Sequence, residues 1–361
     1  MIGAGKTGRG FIGRLLHEEK QQIVFIDKDS LLIEKLNFEG SYEIAFFGGK
    51  REKYIVAGYE AYDWAAAKEK ASELAAGTDF ILIAVGGQNL PEAGAQLKEL
   101  LGGRTDLPII TAENASHPAE TIREITGAEY VSESTVFCTT IEDPGAEAGS
   151  LNIASEDYPR LQVNADLLGG FVPEPKTIFP VERFSDFLTR KLYTYNAAAC
   201  VIAYLGWLKD YTDFGAAAND PEIQAAMDQN YAATNRSLCR EFGYEEKDQE
   251  EFALLSRTKF CDRTILDTVA RNGRDPERKL AAGERLMGPL RIQQKYGEDC
   301  AVLEKTIAAA ILYELSEGNL QKKNELTAKQ RQQGDKLLSG LCGIAETEPV
   351  YHRIRSLIAV L

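Results

Sequence analysis

Met1-Ile2-Gly3-Ala4-Gly5-Lys6-Thr7-Gly8-Arg9-Gly10, with VFID following at residues 24–27, is the stretch whose reading decides the fold. Gly3, Gly5 and Gly8 have the spacing GxGxxG. In that pattern the first glycine permits a tight turn. The second lets a backbone approach a pyrophosphate, and the third lets a helix pack closely on a strand. Lys6 and Thr7 occupy the variable positions. A helix expected over residues 10–18 would offer its N-terminal amides to phosphate oxygens. A lone glycine pattern is weak evidence, but Asp27 ends an apolar run at about the expected 20 residues downstream. A carboxylate there holds the ribose hydroxyls of NAD and repels the extra phosphate of NADP. Lys28 beside it weakens that repulsion, and the implied cofactor is NAD(H). Only Met1 and Ile2 precede the first glycine, although the turn should follow a strand. The expectation is a late start, since losing a central parallel strand would expose its neighbours.

Working outward, residues 22–26 (QIVFI), 80–85 (FILIAV) and 108–111 (PIIT) read as strands, and 64–76 and 90–101 as helices. Strands alternating with helices imply a parallel sheet covered on both faces. Val85 and Gly86 close one strand where a backbone could pass beneath the cofactor, and Asn114 closes IITAEN. Residues 42–57 read as an inserted hairpin turning at Gly48-Gly49. Residues 151–168 read as a last strand and helix, and the Pro-rich 172–180 as a linker. Beyond 181 the pattern is helical over 184–211, 221–242, 247–260, 263–271, 281–296, 300–317 and 327–346. The expected fold is an α/β Rossmann-type doubly wound sheet over 1–178, followed by a mainly α-helical domain over 179–361. A cleft at their junction is the expected place for a small molecule.

At 361 residues, with 41 Lys and Arg against 55 Asp and Glu, the net charge is −14. That excludes a nucleic-acid binder, which needs a basic face. No run is apolar enough to span a bilayer. Met1 leads directly into the glycine turn, so a cytoplasmic location is expected. The six cysteines and three histidines are scattered singly, and no metal site is expected. The oligomeric state stays open between monomer and dimer.

Residues 190–196 (RKLYTYN) open an apolar helix. Lys191 and Asn196 lie about 140° apart on an α-helical wheel, yet both can flank one pocket. A desolvated lysine becomes a usable general base near neutrality, and an Asn amide can donate to a developing oxyanion. A solvated Lys and an interhelix Asn is the equal alternative. Arg271, Arg274, Arg278, Lys279 and Arg285 form a cationic cluster suited to a phosphate or carboxylate, or to salt bridges in equal measure. Arg274, Arg278 and Lys279 are its substrate-binding candidates. His117 reads as a surface or loop-capping residue.

GAGKTGRGFIGRLL, the strand with Asp27, AVGG, IITAEN, RKLYTYN with AYLG, and GRDPERKLAAGERLMGPL together resemble the polyol-specific long-chain dehydrogenases, nearly end to end. The resemblance implies a metal-independent enzyme that moves hydride between NAD(H) and a ketose or polyol, often phosphorylated. Lys191 would be its general acid/base, Asn196 an oxyanion donor, Asp27 the ribose ligand, and Gly3, Gly5 and Gly8 the pyrophosphate cradle. Two positions depart. The family's His three residues after the Asn is Ala199 here. The family's Asp-Arg pair aligns with Phe137 and Cys138, while Glu133 falls where relatives place an Asn or Asp near the substrate oxygen. Three readings stay open: a sugar or sugar-phosphate dehydrogenase, an NAD-binding protein that has lost catalysis, and a hexuronate reductase.

Overall fold

The computed structural model describes residues 1–361 apart from Lys50 and Ser116. It comprises two compact units, Met1–Ser185 and Asp186–Leu361.

In the first unit the strands are β1 (Val24–Asp27), β2 (Ser41–Phe46), β3 (Tyr54–Ala57), β4 (Glu60–Asp63), β5 (Ile81–Ile83), β6 (Ile109–Thr111), β7 (Val131–Thr135), β8 (Thr140–Glu142), β9 (Ile153–Ser155), β10 (Leu161–Asn164) and β11 (Ile178–Val181). β4 pairs parallel with β1, and β5, β6 and β7 pair parallel in series. Ile2 joins these two groups through parallel bridges to Ile26 and Ile83. Its amide donates to Leu82 O at 2.7 Å, and Gly3 N donates to Ile26 O at 2.8 Å. Ile2 thus lies at the central position of the sheet, and the order β4-β1-Ile2-β5-β6-β7 is that of a Rossmann sheet. Ile2, Ile26, Ile83, Ile109 and Val131 are buried in one apolar cluster with the helix Leu90–Leu101.

The hairpin expected over 42–57 is present as β2 and β3, paired antiparallel. Gly48 and Gly49 in its turn have φ of +75° and +61°, and Lys50 lies outside the described residues. The hairpin does not stand alone. β2 also pairs parallel with β9, making a separate four-stranded sheet β3-β2-β9-β8. Two expectations fail here. The helix over the end of 151–168 is instead β10, antiparallel to β7, and the 172–180 linker contains the start of β11, parallel to β10. Leu161 and Val163 alternate into the core beside Ile178, a strand period too short to separate from a helical turn in sequence.

The second unit is helical. Ala197–Leu208 and Ala301–Leu315 form its centre, with Val201, Ile202, Ala203, Ile307 and Ile311 fully buried. Pro221–Phe242 starts at Asp220, whose carboxylate accepts from the amides of Glu222 and Ile223, and ends at Gly243 with φ +75°. The expected helix 263–271 shrinks to Val269–Gly273. Its first half is drawn off by Thr212–Phe214: Thr268 bridges Asp213, and Val269 N donates to Thr212 O at 2.9 Å. The expected helix 281–296 begins only at Met287, after Gly283 at φ +80°. Region 327–346 is broken into short turns, and a terminal helix, Pro349–Val360, follows. No helix among the described residues is long and apolar enough to cross a membrane.

Candidate active site

In the first unit, Gly3, Gly5, Asp27 and Val85 line one pocket at the carboxyl ends of β1 and β5, together with Trp64 and Asn89. The three glycines do different things. Gly3 has φ +94°, and a Cβ there would lie 2.2 Å from Ala84 O. A Cβ on Gly8 would lie 2.1 Å from Gly3 O, so this glycine lets the helical turn close onto the first. Gly5 has no neighbouring atom within 4 Å of where its Cβ would be. No protein neighbour crowds that position, which leaves it open to a phosphate. The cradle therefore fits a dinucleotide pyrophosphate.

Asp27 is tied to the same turn. Its Oδ2 accepts from Ala4 N at 2.6 Å, and its Oδ1 accepts from Asp29 N at 3.0 Å. The buried Arg9 donates to Ala4 O, so both polar groups of the Ala4 peptide are held. Thr7 precedes a π-helical turn, Gly8–Gly13, and makes no capping bond. Lys6 is exposed, 3.5 Å from Glu142.

Val85 and Gly86 carry the next wall, and a residue that sequence reasoning passed over holds them. Oε1 of the buried Glu113 accepts from Val85 N at 2.6 Å and Gly86 N at 2.7 Å. Burial pushes the Glu113 carboxyl above the usual carboxylate range, against the pull of those two amides. Asn89 Nδ2 donates to Val85 O at 2.7 Å, clamping the same peptide from its other side. The only available signal was the position of Glu113 at the end of a buried strand, beside the noted Asn114. Asn114 is exposed and bonds both backbone groups of Val136. Glu133 is half-buried on β7, opposite Thr111. Phe137 stacks on Tyr158 at 5.5 Å, and Cys138 Sγ meets Ser155 Oγ at 3.3 Å. The two residues aligned with the family's Asp-Arg pair are thus used in packing. His117 occupies the N-cap of Pro118–Thr126 without a side-chain capping bond.

In the second unit, Lys191 precedes and Asn196 ends Leu192–Asn196, which is a π-helical turn. This corrects the α-helical wheel. An i→i+5 bonded turn puts residues five apart nearly above one another, where a wheel of 3.6 residues per turn separates them by about 140°. Ala197 N donates to Leu192 O, closing that wider ring. The turn is braced on two sides. Gln249 Nε2 donates to Thr194 Oγ1 at 3.1 Å, and Gln249 Oε1 accepts from Arg190 Nε at 2.7 Å. Arg190 lies between the rings of Tyr244 and Phe252, 4.5 and 4.3 Å from their centroids. On the other side the Tyr193 ring rests against Gly288, where a Cβ would lie 2.3 Å from it.

Burial pushes the Lys191 ammonium down to about 7, and the nearby cations Lys259 and Arg285 push the same way. The cationic cluster is split by the fold. Arg285, 14% exposed in its side chain and paired with Glu284, is the member close enough to act on Lys191. Lys279 is buried and donates to the backbone carbonyls of Asn272 and Arg274, and burial lowers it to about 8. Its ammonium therefore fastens the loop on which Arg274 sits. Arg274 and Arg278 are exposed, with Arg278 3.8 Å from Asp275. Arg271 pairs with Asp267 at 3.0 Å. No group of three or more His, Cys, Asp or Glu among the described residues could hold a metal ion.

The model of the mannitol dehydrogenase Rossmann domain matches residues 1–153, and that of the mannitol dehydrogenase C-terminal domain matches residues 183–339. Among curated proteins, the chain is 28% identical over 334 residues to a mannitol-1-phosphate 5-dehydrogenase of Anoxybacillus flavithermus, covering 87% of this chain and 86% of that one. It is 26% identical over 367 residues to the mannitol-1-phosphate 5-dehydrogenase of Halalkalibacterium halodurans, covering 98% of each. Among solved structures, a substrate-free D-sorbitol dehydrogenase matches with a TM-score of 0.75 at 13% identity, covering 99% of this chain and 92% of that one. Pseudomonas fluorescens mannitol 2-dehydrogenase, in a ternary complex with NAD and D-mannitol, matches with a TM-score of 0.64 at 12% identity, covering 99% and 89%. The structural likenesses are likenesses of fold.

Proposed function

This chain belongs to the mannitol dehydrogenase family, and from that premise we propose that it interconverts a sugar-alcohol phosphate such as mannitol 1-phosphate with its ketose, fructose 6-phosphate, with Lys191 as general acid/base. It is an NAD-dependent oxidoreductase acting on a polyol. The cofactor assignment is supported by the open face at Gly5, by Asp27 tied into the same turn, and by the match of residues 1–153 to the mannitol dehydrogenase Rossmann domain. Gly3, Gly5, Gly8, Asp27, Val85 and Gly86 would hold the dinucleotide.

The observation that carries the mechanism is Lys191, held near neutrality on a π-turn it shares with Asn196. When bound, the nicotinamide supplies or accepts the hydride. In the reducing direction the Lys191 ammonium gives its proton to the carbonyl oxygen, which becomes a hydroxyl. In the oxidising direction the neutral amine takes that proton back. The Asn196 amide donates to the same oxygen and steadies the charge that develops on it. Lys191 needs no metal partner for this. A pKa near 7 makes it competent in both directions at neutral pH.

The phosphate is supported by curated relatives that are mannitol-1-phosphate 5-dehydrogenases and by the exposed guanidinium groups of Arg274 and Arg278. The test is NADH oxidation with fructose 6-phosphate, fructose and a set of hexuronates. Turnover fastest with fructose 6-phosphate is the expected result. Turnover only with a hexuronate transfers the cationic residues to a carboxylate, and no turnover with any ketose overturns the proposal. A second reading, an NAD-binding protein without catalysis, rests on Ala199 and on the burial of Phe137 against Tyr158. It requires NADH binding without turnover.

A further inference from the structure

We infer that Glu92 is a second determinant of selectivity for NAD over NADP, acting by holding Lys28 away from the position a 2′-phosphate would take. The inference rests on the assignment of the pocket around Gly3 and Asp27 to the dinucleotide. Lys28 follows Asp27 directly at the end of β1. Taken alone it offsets the carboxylate and would welcome a 2′-phosphate. In the structure its ammonium is engaged elsewhere. Nζ is 2.8 Å from Glu92 Oε2 and 3.4 Å from Asn89 Oδ1. Asp27, Lys28, Asn89 and Glu92 all line the same pocket.

One acceptor is anchored by a group unrelated to Lys28, and the other stands on a packed helix. The Asn89 amide is anchored through Nδ2 to Val85 O at 2.7 Å, so Oδ1 is the atom it has left for Lys28. Glu92 stands in the first turn of Leu90–Leu101, whose Leu90, Ala93 and Leu97 are buried. The pocket edge therefore presents two carboxylates and one lysine already paired. A 2′-phosphate entering there meets Asp27 as a like charge, and the cation that would receive it, Lys28, is held by Glu92. Lys28 and Glu92 are both more than half exposed, so their pair adds little to folding stability and can be removed without unfolding the chain.

The experiment measures Kd for NADH and for NADPH by calorimetry on the full chain. The proteins are wild type, Glu92→Gln, Lys28→Ala, the double variant, and Glu99→Gln as control. Glu99 removes the same charge from the same helix, where it pairs with Lys68 at 2.6 Å. In Glu92→Gln the ratio of Kd for NADPH to Kd for NADH should fall about two- to tenfold, the net scale of one hydrogen bond. Glu99→Gln should keep the wild-type ratio, and the Glu92→Gln gain should vanish in the Lys28→Ala background. A wild-type ratio in Glu92→Gln overturns the inference, as does a gain that survives without Lys28. Wild-type protein that binds neither nucleotide removes the cofactor assignment itself, a different and recognisable result.

Discussion

Lys191 and Asn196 lie at the two ends of one π-helical turn, which the bond from Ala197 N to Leu192 O closes. π-turns of this kind concentrate at functional sites because they are costly to form and persist only where surrounding structure holds them. Here the bracing comes from Gln249 on Thr194 and from Gly288 under Tyr193.

Replacing Lys191 by Ala should lower kcat roughly 10²- to 10⁴-fold, the usual contribution of one positioned acid/base group. NADH affinity should stay near wild type. Steady-state rates together with nucleotide titration separate the two, and a parallel loss of both would remove Lys191 from the proton-transfer step.

With Lys191 near 7, ketose reduction needs the ammonium, so kcat/KM in that direction should be flat below about pH 7 and fall above it. Polyol oxidation needs the amine and should rise to a plateau above the same pH. Profiles in both directions check the sign, and identical profiles would contradict it.

Gly288→Ala places a methyl 2.3 Å from the Tyr193 ring. The ring has to move, and the π-turn with it. Overpacking of this kind costs about 1–3 kcal/mol, and turnover should fall further than stability accounts for. Urea unfolding and kcat measured on the same variant test this.

The glycine turn allows a paired comparison. Gly5→Ala meets no protein atom and should keep the wild-type unfolding midpoint while NADH binds at least about tenfold more weakly, the worth of one ionic hydrogen bond. Gly8→Ala collides with Gly3 O and should lower the midpoint as well. Calorimetry with thermal unfolding distinguishes them.

Lys279→Met leaves the carbonyls of Asn272 and Arg274 without their donor and should cost about 1–3 kcal/mol. The pH dependence has a definite sign. Burial lowers Lys279 to about 8 and Lys191 to about 7. Above those values the unfolded chain binds more protons than the folded one. Stability therefore rises with pH from about 7 towards the ordinary lysine range, and the rise should be smaller in Lys279→Met. Denaturation midpoints across that range provide the measurement.

Much of this is legible in the amino-acid sequence itself. Gly3, Gly5, Gly8 and Asp27 announce a dinucleotide pocket because each glycine answers a local need for a tight turn, an open backbone or a close approach. The alternation of apolar runs and helical periods fixes a parallel sheet followed by helices. β10 is not legible as a strand, because Leu161 and Val163 are too few to show which period they follow. Helix 263–271 failed because Thr212–Phe214, some fifty residues earlier, competes for its backbone groups.

What tertiary structure alone decided depends on neighbours distant in sequence. Ile2 takes the centre of the sheet because β1 and β5 close around it. Glu113 becomes the clamp on Val85 and Gly86 through burial, and Lys28 is diverted by Glu92, 64 positions away. Lys191 owes its proton affinity to desolvation and to Lys259 and Arg285, which no local pattern reveals. Sequence by itself determined which backbone can turn and which periods can pack, since those are properties of a few adjacent residues. Charge state, hydrogen-bond partner and the π-turn were decided by folding, because each depends on what the rest of the chain brings into contact.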